Sequence, residues 1–149
     1  MSDVRMALPE DVAGVVACID AAYAGYRAAG ITLPPVSDGV DDDVRNNLVW
    51  VAVEDGQVAG VLIAVAGQDG WHLANLAVHP SFSGRGLARK LLARMEGAAL
   101  QLGVRDLALT THVAMPDNVD IYSRLGWVET GREGNKVFMA RRLGDAEKE

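Results

Sequence analysis

Between His72 and Thr110 the hydrophobic pattern changes period twice. His72 to Val78 is an apolar, strand-like run that ends at His79-Pro80. From Gly86 the period lengthens: Leu87, Leu91, Met95, Ala98 and Leu102 share one helical stripe, while Arg89, Lys90, Arg94 and Gln101 project elsewhere. Gly103 stops that helix, and Val104 to Thr110 is strand-like again. A strand, a helix of this length and a second strand predict a parallel crossover. Immediately upstream, Leu48 to Val53 and Val58 to Ala66 are β-branched, apolar runs separated by Glu54-Asp55-Gly56-Gln57, whose Asp-Gly pair predicts a tight hairpin. The hairpin needs antiparallel neighbours and the crossover a parallel pair, so the sheet must be mixed.

The remaining segments add to that frame. After a short apolar start at Val4 to Met6, Pro9-Glu10-Asp11 opens a helix with Val12, Val15, Val16, Ile19 and Ala22 on one face. Cys18 lies inside it and is read as a small core residue. Gly30 to Asp43 contains Pro34-Pro35, then Asp38, Asp41, Asp42 and Asp43, so it begins as a loop and ends as a short acidic helix. Solvation explains these acids, and attraction of a cationic acceptor is the sharper alternative. Gly67 to Gly70 turns the chain between the second and third strands, Pro116 to Arg124 is a short helix closed by Gly126, and Trp127 to Gly131 and Lys136 to Arg142 are two more strands. The fold class is α/β of the α+β type, with a mixed, mostly antiparallel central sheet of six to seven strands. One domain is expected over residues 1–143, with a charged flexible tail at 144–149.

Composition removes several function classes. With 149 residues, one core can bury roughly 70% of the unfolded surface. A 50% hydrophobic and 23% charged chain is an ordinary globular one, neither disordered nor collagen-like. Fourteen Lys+Arg against 20 Asp+Glu, a formal charge of −6, suit a nucleic-acid backbone poorly, so no nucleic-acid partner is expected. The single cysteine cannot close an internal disulfide, and no charged start with an apolar signal region precedes the first helix. No apolar run approaches the roughly 18 residues a membrane span needs. A cytoplasmic protein without a membrane partner is expected. Three scattered histidines without a carboxylate or cysteine cluster at ligand spacing predict no metal site.

Ser83-Gly84-Arg85-Gly86-Leu87-Ala88 stands at the head of the strongest helix, where unbonded N–H groups and the positive helix end favour a phosphate. The Walker pattern fails because Lys90 follows Arg89 and precedes Leu91. The dinucleotide pattern fails because Arg89 occupies its third small position. Two readings of the turn stay open: an anion-binding cradle, or a tight connection in which glycine only relieves strain.

The turn also follows Gln/Arg-x-x-Gly-x-Gly/Ala before an amphipathic helix, and here the chain resembles the GNAT family of acetyl-CoA-dependent N-acetyltransferases. Leu73-Ala74-Asn75-Leu76-Ala77-Val78-His79-Pro80 looks like that family's fourth strand, Gly84 to Leu102 like its cofactor-binding helix, and Asn118-Val119-Asp120-Ile121-Tyr122-Ser123-Arg124-Leu125-Gly126-Trp127 like its closing motif. The match covers Trp71 to Arg132. One departure is Ser83, where the family usually has Gln or Arg. The resemblance implies helices on both faces of the sheet, acetyl-CoA as co-substrate, an amine acceptor that is a small molecule or a peptide, and it allows a homodimer.

By the same resemblance, the N–H of Leu76 would face the acetyl carbonyl, and Ala77 and Val78 would hold pantetheine at a strand bulge. Ser83, Gly84, Arg85, Gly86, Leu87, Ala88 and Arg89 would hold the phosphates, Arg85 and Arg89 being the side chains nearest the helix start. Tyr122 matches the family tyrosine near the thioester sulfur, with packing against the sheet as the alternative, and Asn118, a turn earlier, would face the same cofactor. His72, four residues before Leu76 and on its strand face, is the candidate base, since an imidazole ordinarily titrates at about 6.5. A solvent-facing histidine at a strand start is equally ordinary, and His112 or a water chain is the next choice. His79 before Pro80 reads as a turn residue. The acceptor pocket would use Tyr23, Tyr26, the loop from Ile31 to Pro35 and Trp50, or these aromatics are core. The chemistry implied is direct acetyl transfer with a general base and a tyrosine general acid. A CoA-binding sensor without turnover is the rival.

Overall fold

A computed structural model describes residues 3–28, 39–112 and 116–143, without the side chains of 25–28, 112 and 116–118. The loop from Ile31 to Pro35 and the tail at 144–149 lie outside the described residues. In chain order the elements are β1 (Asp3–Met6), α1 (Val12–Ala28), α2 (Val40–Asn46), β2 (Leu48–Glu54), β3 (Gln57–Gly67), β4 (Gly70–Val78), α3 (Leu87–Gln101), β5 (Asp106–His112), α4 (Pro116–Arg124), β6 (Val128–Glu133) and β7 (Lys136–Arg142). The seven strands form one sheet in the order β1-β2-β3-β4-β5-β7-β6. The β4–β5 pair is parallel, Trp71–Leu73 against Leu107–Leu109, and the pairs β1–β2, β2–β3, β5–β7 and β6–β7 are antiparallel. The mixed sheet expected from the crossover and the hairpin is therefore present. Among the described residues no helix is long and apolar enough to cross a membrane.

The chain divides into two compact units, one from residues 1–64 and 75–95, the other from 65–74 and 96–149. In the first, the Asp-Gly hairpin turn has both central residues left-handed, Asp55 at φ 54° and Gly56 at φ 75°, the twist that suits a two-residue loop. Period-two alternation then sends the sheet's side chains to two helical layers. Val49, Val51, Val61 and Ile63 pack with Val15, Cys18 and Ile19 of α1 and Val40 of α2 in one buried cluster. On the other face β3 carries Gly60, where an added Cβ would come within 3.1 Å of Leu91 Cδ1 on α3. Helices thus cover both faces of this part of the sheet. Cys18 is buried, and burial pushes its thiol up to about 11, which suits the core role expected of it.

The short apolar start at Val4 to Met6 is part of β1, which pairs with β2 from Asp3↔Val53 to Met6↔Trp50. Two expectations are corrected here. The buried stripe of α3 runs through Leu87, Leu91, Leu92, Met95 and Ala99 rather than through Ala98 and Leu102; the helix ends at Gln101, and Leu102 is 72% exposed in its closing turn. That turn is a left-handed cap: Gly103 has φ 78°, its N–H bonds Leu100 O at 3.1 Å, and Val104 N–H bonds Ala99 O at 2.8 Å. Because Val104's donor is spent on the cap, β5 starts at Asp106, two residues later than expected.

The second unit holds Trp71, Leu73, Leu107, Leu109, Trp127, Val137 and Met139 as buried residues. Its β3–β4 turn ends at Gly70, with φ 142°, where a Cβ would fall 2.3 Å from the Asp106 carbonyl oxygen. Gly70→Ala therefore forces backbone apart as well as straining φ, and is expected to destabilise the protein by about 2 kcal/mol or more, read as a lower denaturation midpoint at unchanged slope.

Candidate active site

The turn before α3 is assembled from the residues on either side of Pro80. His79 Nδ1 accepts the Ser81 N–H at 3.1 Å, fixing a single 3₁₀ turn over Pro80–Phe82, as befits the turn role expected of His79. Phe82 is buried, with the His79 ring edge-on to it at 5.9 Å. The Ser83 hydroxyl donates to Pro80 O at 3.0 Å, so the residue standing at the usual Gln/Arg position spends its proton on the turn itself. Gly84 and Gly86 follow at φ 80° and 76°.

A Cβ added at either glycine would meet nothing within 4 Å, so the main chain is open to a ligand at both. The first helical donor with an acceptor inside the helix end is Lys90 N–H, on Gly86 O at 3.1 Å. Helix geometry leaves the N–H groups of the turn before it directed out of the helix end, where the dipole is positive. Open backbone and outward N–H groups at a positive helix end are compatible with a diphosphate, so the turn fits one. Arg89, Lys90 and Arg94 are exposed on the same helix.

Arg85 is placed differently from a phosphate-seeking side chain. Its Nη1 donates to Glu54 Oε1 at the end of β2, and its guanidinium lies 5.1 Å from the centre of the Phe82 ring. Sequence reasoning did not single out Glu54. It placed Glu54 in the hairpin turn, whereas β2 runs on through Glu54; the available signal was that alternation carried one residue further puts Glu54 on the face of Trp50 and Ala52. A second contact it missed lies beside Leu76: the Tyr23 hydroxyl of α1 donates to Asn75 Oδ1 at 3.3 Å.

On β4, Leu76 and Val78 are half-buried and Ala77 is buried. The parallel ladder with β5 covers Trp71 to Leu73, so Leu76 stands three residues beyond its last recorded pair. Trp50 is buried in β2 at 3% exposure. Tyr26 lies in α1 and Asn118 in α4, but their side chains, like that of His112, are outside the described residues. In the acidic helix, Arg45 pairs with Asp42 and, at 3.5 Å, with Asp41, while Asp43 accepts from Asn47 Nδ2 at 2.7 Å.

The two candidate catalytic side chains belong to the second unit. His72 is exposed and lines a depression of about 640 Å³ together with Trp71, Asp69, Asp106, Ala108 and Arg142. Tyr122 is buried at 8% exposure on α4, its ring edge-on to Trp127 at 5.8 Å. The Trp127 N–H bonds Tyr122 O at 3.0 Å, which closes the helix and delays β6 to Val128, one residue later than expected. The Trp127 indole N–H is buried without a partner among the described residues.

A sequence model of the acetyltransferase (GNAT) domain matches residues 40–139, about two thirds of the chain. Solved structures similar in fold include three acetyltransferases. The PaiA N-acetyltransferase of Thermoplasma acidophilum in complex with coenzyme A superposes with a TM-score of 0.82 at 16% identity, covering 96% of this chain and 99% of that one. A GNAT-family acetyltransferase of Staphylococcus aureus gives 0.83 at 14% identity, covering 97% and 100%. An acetyltransferase of Thermus thermophilus gives 0.77 at 21% identity, covering 96% and 97%. With that model matched over two thirds of the chain and the mixed seven-stranded sheet in place, the chain belongs to the GNAT family of acetyltransferases.

Proposed function

We propose that the protein transfers the acetyl group of acetyl-CoA to an amine by direct attack. The observation that carries this reading is the turn at Gly84 and Gly86: two left-handed glycines with open space above them, at the head of a 15-residue helix. The coenzyme A held by the PaiA relative supports the same cofactor here. Bound acetyl-CoA supplies an activated thioester.

The protein's own groups then have separable tasks. The N–H groups of Gly84 through Arg89 hold the pyrophosphate, with Arg89 adding charge at the rim. The Leu76 N–H polarises the acetyl carbonyl, and Ala77 and Val78 line the pantetheine path. Tyr122 gives its phenolic proton to the departing thiolate, a nearly balanced transfer because a thiol ordinarily titrates at about 8.5 and a phenol at about 10. Asn118, on the same helix, is assigned to the same cofactor. His72 accepts the proton of the attacking ammonium, with His112 or a water chain in that role if His72 is replaced without effect. Tyr26 contributes to the acceptor side, and buried Trp50 would act there only as a wall. The acceptor is a small-molecule or peptide amine, in a single domain acting in the cytoplasm, alone or as a homodimer.

Release of free thiol from acetyl-CoA across a panel of primary amines tests the function. Acceptor-dependent thiol release is expected. Coenzyme A binding without release for any amine would mean a sensor that has lost turnover. For the base, His72→Gln is expected to remove the ascending limb of kcat/KM against pH, leaving activity to rise only as the free amine becomes abundant. An acceptor already neutral at the assay pH should suffer less. Unchanged rates and pH profiles with both acceptors would move the base elsewhere.

A further inference from the structure

Glu54 is a carboxylate at 8% exposure, at the end of an otherwise apolar strand. A buried charge persists only when paired and hydrogen-bonded, and this one is paired to a single residue of the phosphate turn, Arg85. We propose that Glu54 is a positioning residue for cofactor binding: by holding the Arg85 guanidinium it fixes the main chain of the turn in the shape that receives the CoA pyrophosphate. The proposal rests on the reading that this turn is the pyrophosphate site.

The argument is one of restraint. Arg85 stands between two left-handed glycines, the residues with the most conformational freedom to lose, and neither would meet a neighbour if it carried a Cβ. Packing therefore does not hold Gly84 or Gly86. The only side chain between them is clamped at two points, on Glu54 Oε1 and over the buried Phe82 ring. Phe82 is itself fixed by the 3₁₀ turn that His79 caps. A set of N–H donors binds an anion well only if the donors already converge, because ordering them on binding subtracts from affinity. The clamp supplies that order from the sheet. It also neutralises Glu54, whose charge would otherwise repel the incoming phosphates.

The competing role, Arg85 as a phosphate ligand held back by Glu54, predicts the opposite sign. It also requires Arg85 to leave a buried carboxylate unpaired for an exposed contact, an exchange that electrostatics disfavours.

Calorimetric titration with coenzyme A and steady-state kinetics on Glu54→Gln, Arg85→Met, their double variant and Gly86→Val decide the matter. Each single clamp variant is expected to raise Kd for coenzyme A and KM for acetyl-CoA about tenfold, with kcat at saturation within about twofold of wild type. The double variant should be no weaker than the singles, since the two residues act as one unit. Arg85→Lys, which keeps the charge, should recover part of the loss. If Arg85→Met, which strands the buried Glu54 carboxylate, does not fold, Glu54→Gln and the double variant, which leave no buried charge unpaired, carry the test. Tighter binding by Glu54→Gln would overturn the proposal in favour of a restrained phosphate ligand. Unchanged affinity in the clamp variants, with binding lost in Gly86→Val, would overturn it and leave the site standing. Unchanged affinity in all, Gly86→Val included, would remove the turn from cofactor binding altogether.

Discussion

Gly86→Val is expected to abolish the thermal protection that acetyl-CoA confers. A ligand that binds only the folded state adds RT ln(1 + [L]/Kd), about 2.7 kcal/mol at a hundredfold excess over Kd. That increment should vanish in the variant. The reason is local. Gly86 sits at φ 76°, and a Cβ there meets no protein atom, so the valine side chain would fill the space the phosphates need while forcing a β-branched residue into the left-handed region. The backbone strain costs about 1–2 kcal/mol of stability by itself. Melting curves must therefore be compared with and without acetyl-CoA within each variant. A folded Gly86→Val protein that acetyl-CoA still protects fully would reject the phosphate-site reading.

Tyr122→Phe should leave coenzyme A binding intact while kcat falls by roughly 10²-fold, provided protonation of the leaving thiolate limits the rate. The substitution keeps the ring, and with it the edge-on contact to Trp127 at 5.8 Å, and removes one oxygen. Packing and acid catalysis are thereby separated. Wild-type turnover would return Tyr122 to packing, whereas a lowered kcat with an unchanged melting temperature would assign it to the chemistry.

The local devices of the fold are legible in the sequence because each is decided by a few neighbouring residues. Asp55-Gly56 tolerates two left-handed dihedrals and so makes the hairpin. Gly103 and Gly126, at φ 78° and 99°, end α3 and α4 where expected. The period change at Gly86 separates α3 from β4, and hairpin plus crossover already require a mixed sheet. The glycine turn and the closing motif around Tyr122 together pointed to the family.

Other features depend on partners distant in sequence. β1 has four residues, too few for a period-two signal, and exists because the edge of β2 offers it a ladder. The starts of β5 and β6 shifted because the N–H groups of Val104 and Trp127 were taken by helix-closing carbonyls, a competition that hydropathy does not register.

Glu54 marks the same boundary at the site. Its sequence neighbours disclose a carboxylate at the junction of strand and hairpin turn and nothing more, and only the folded chain sets it against Arg85, 31 residues away. Short-range order, the sheet's mixed character and the position of the glycine turn were thus determined by the sequence alone, because backbone dihedrals and hydrophobic period are properties of adjacent residues. Whether Arg85 points to a phosphate or to a buried carboxylate was decided by tertiary structure, because the cost of an unpaired charge depends on what surrounds it in space.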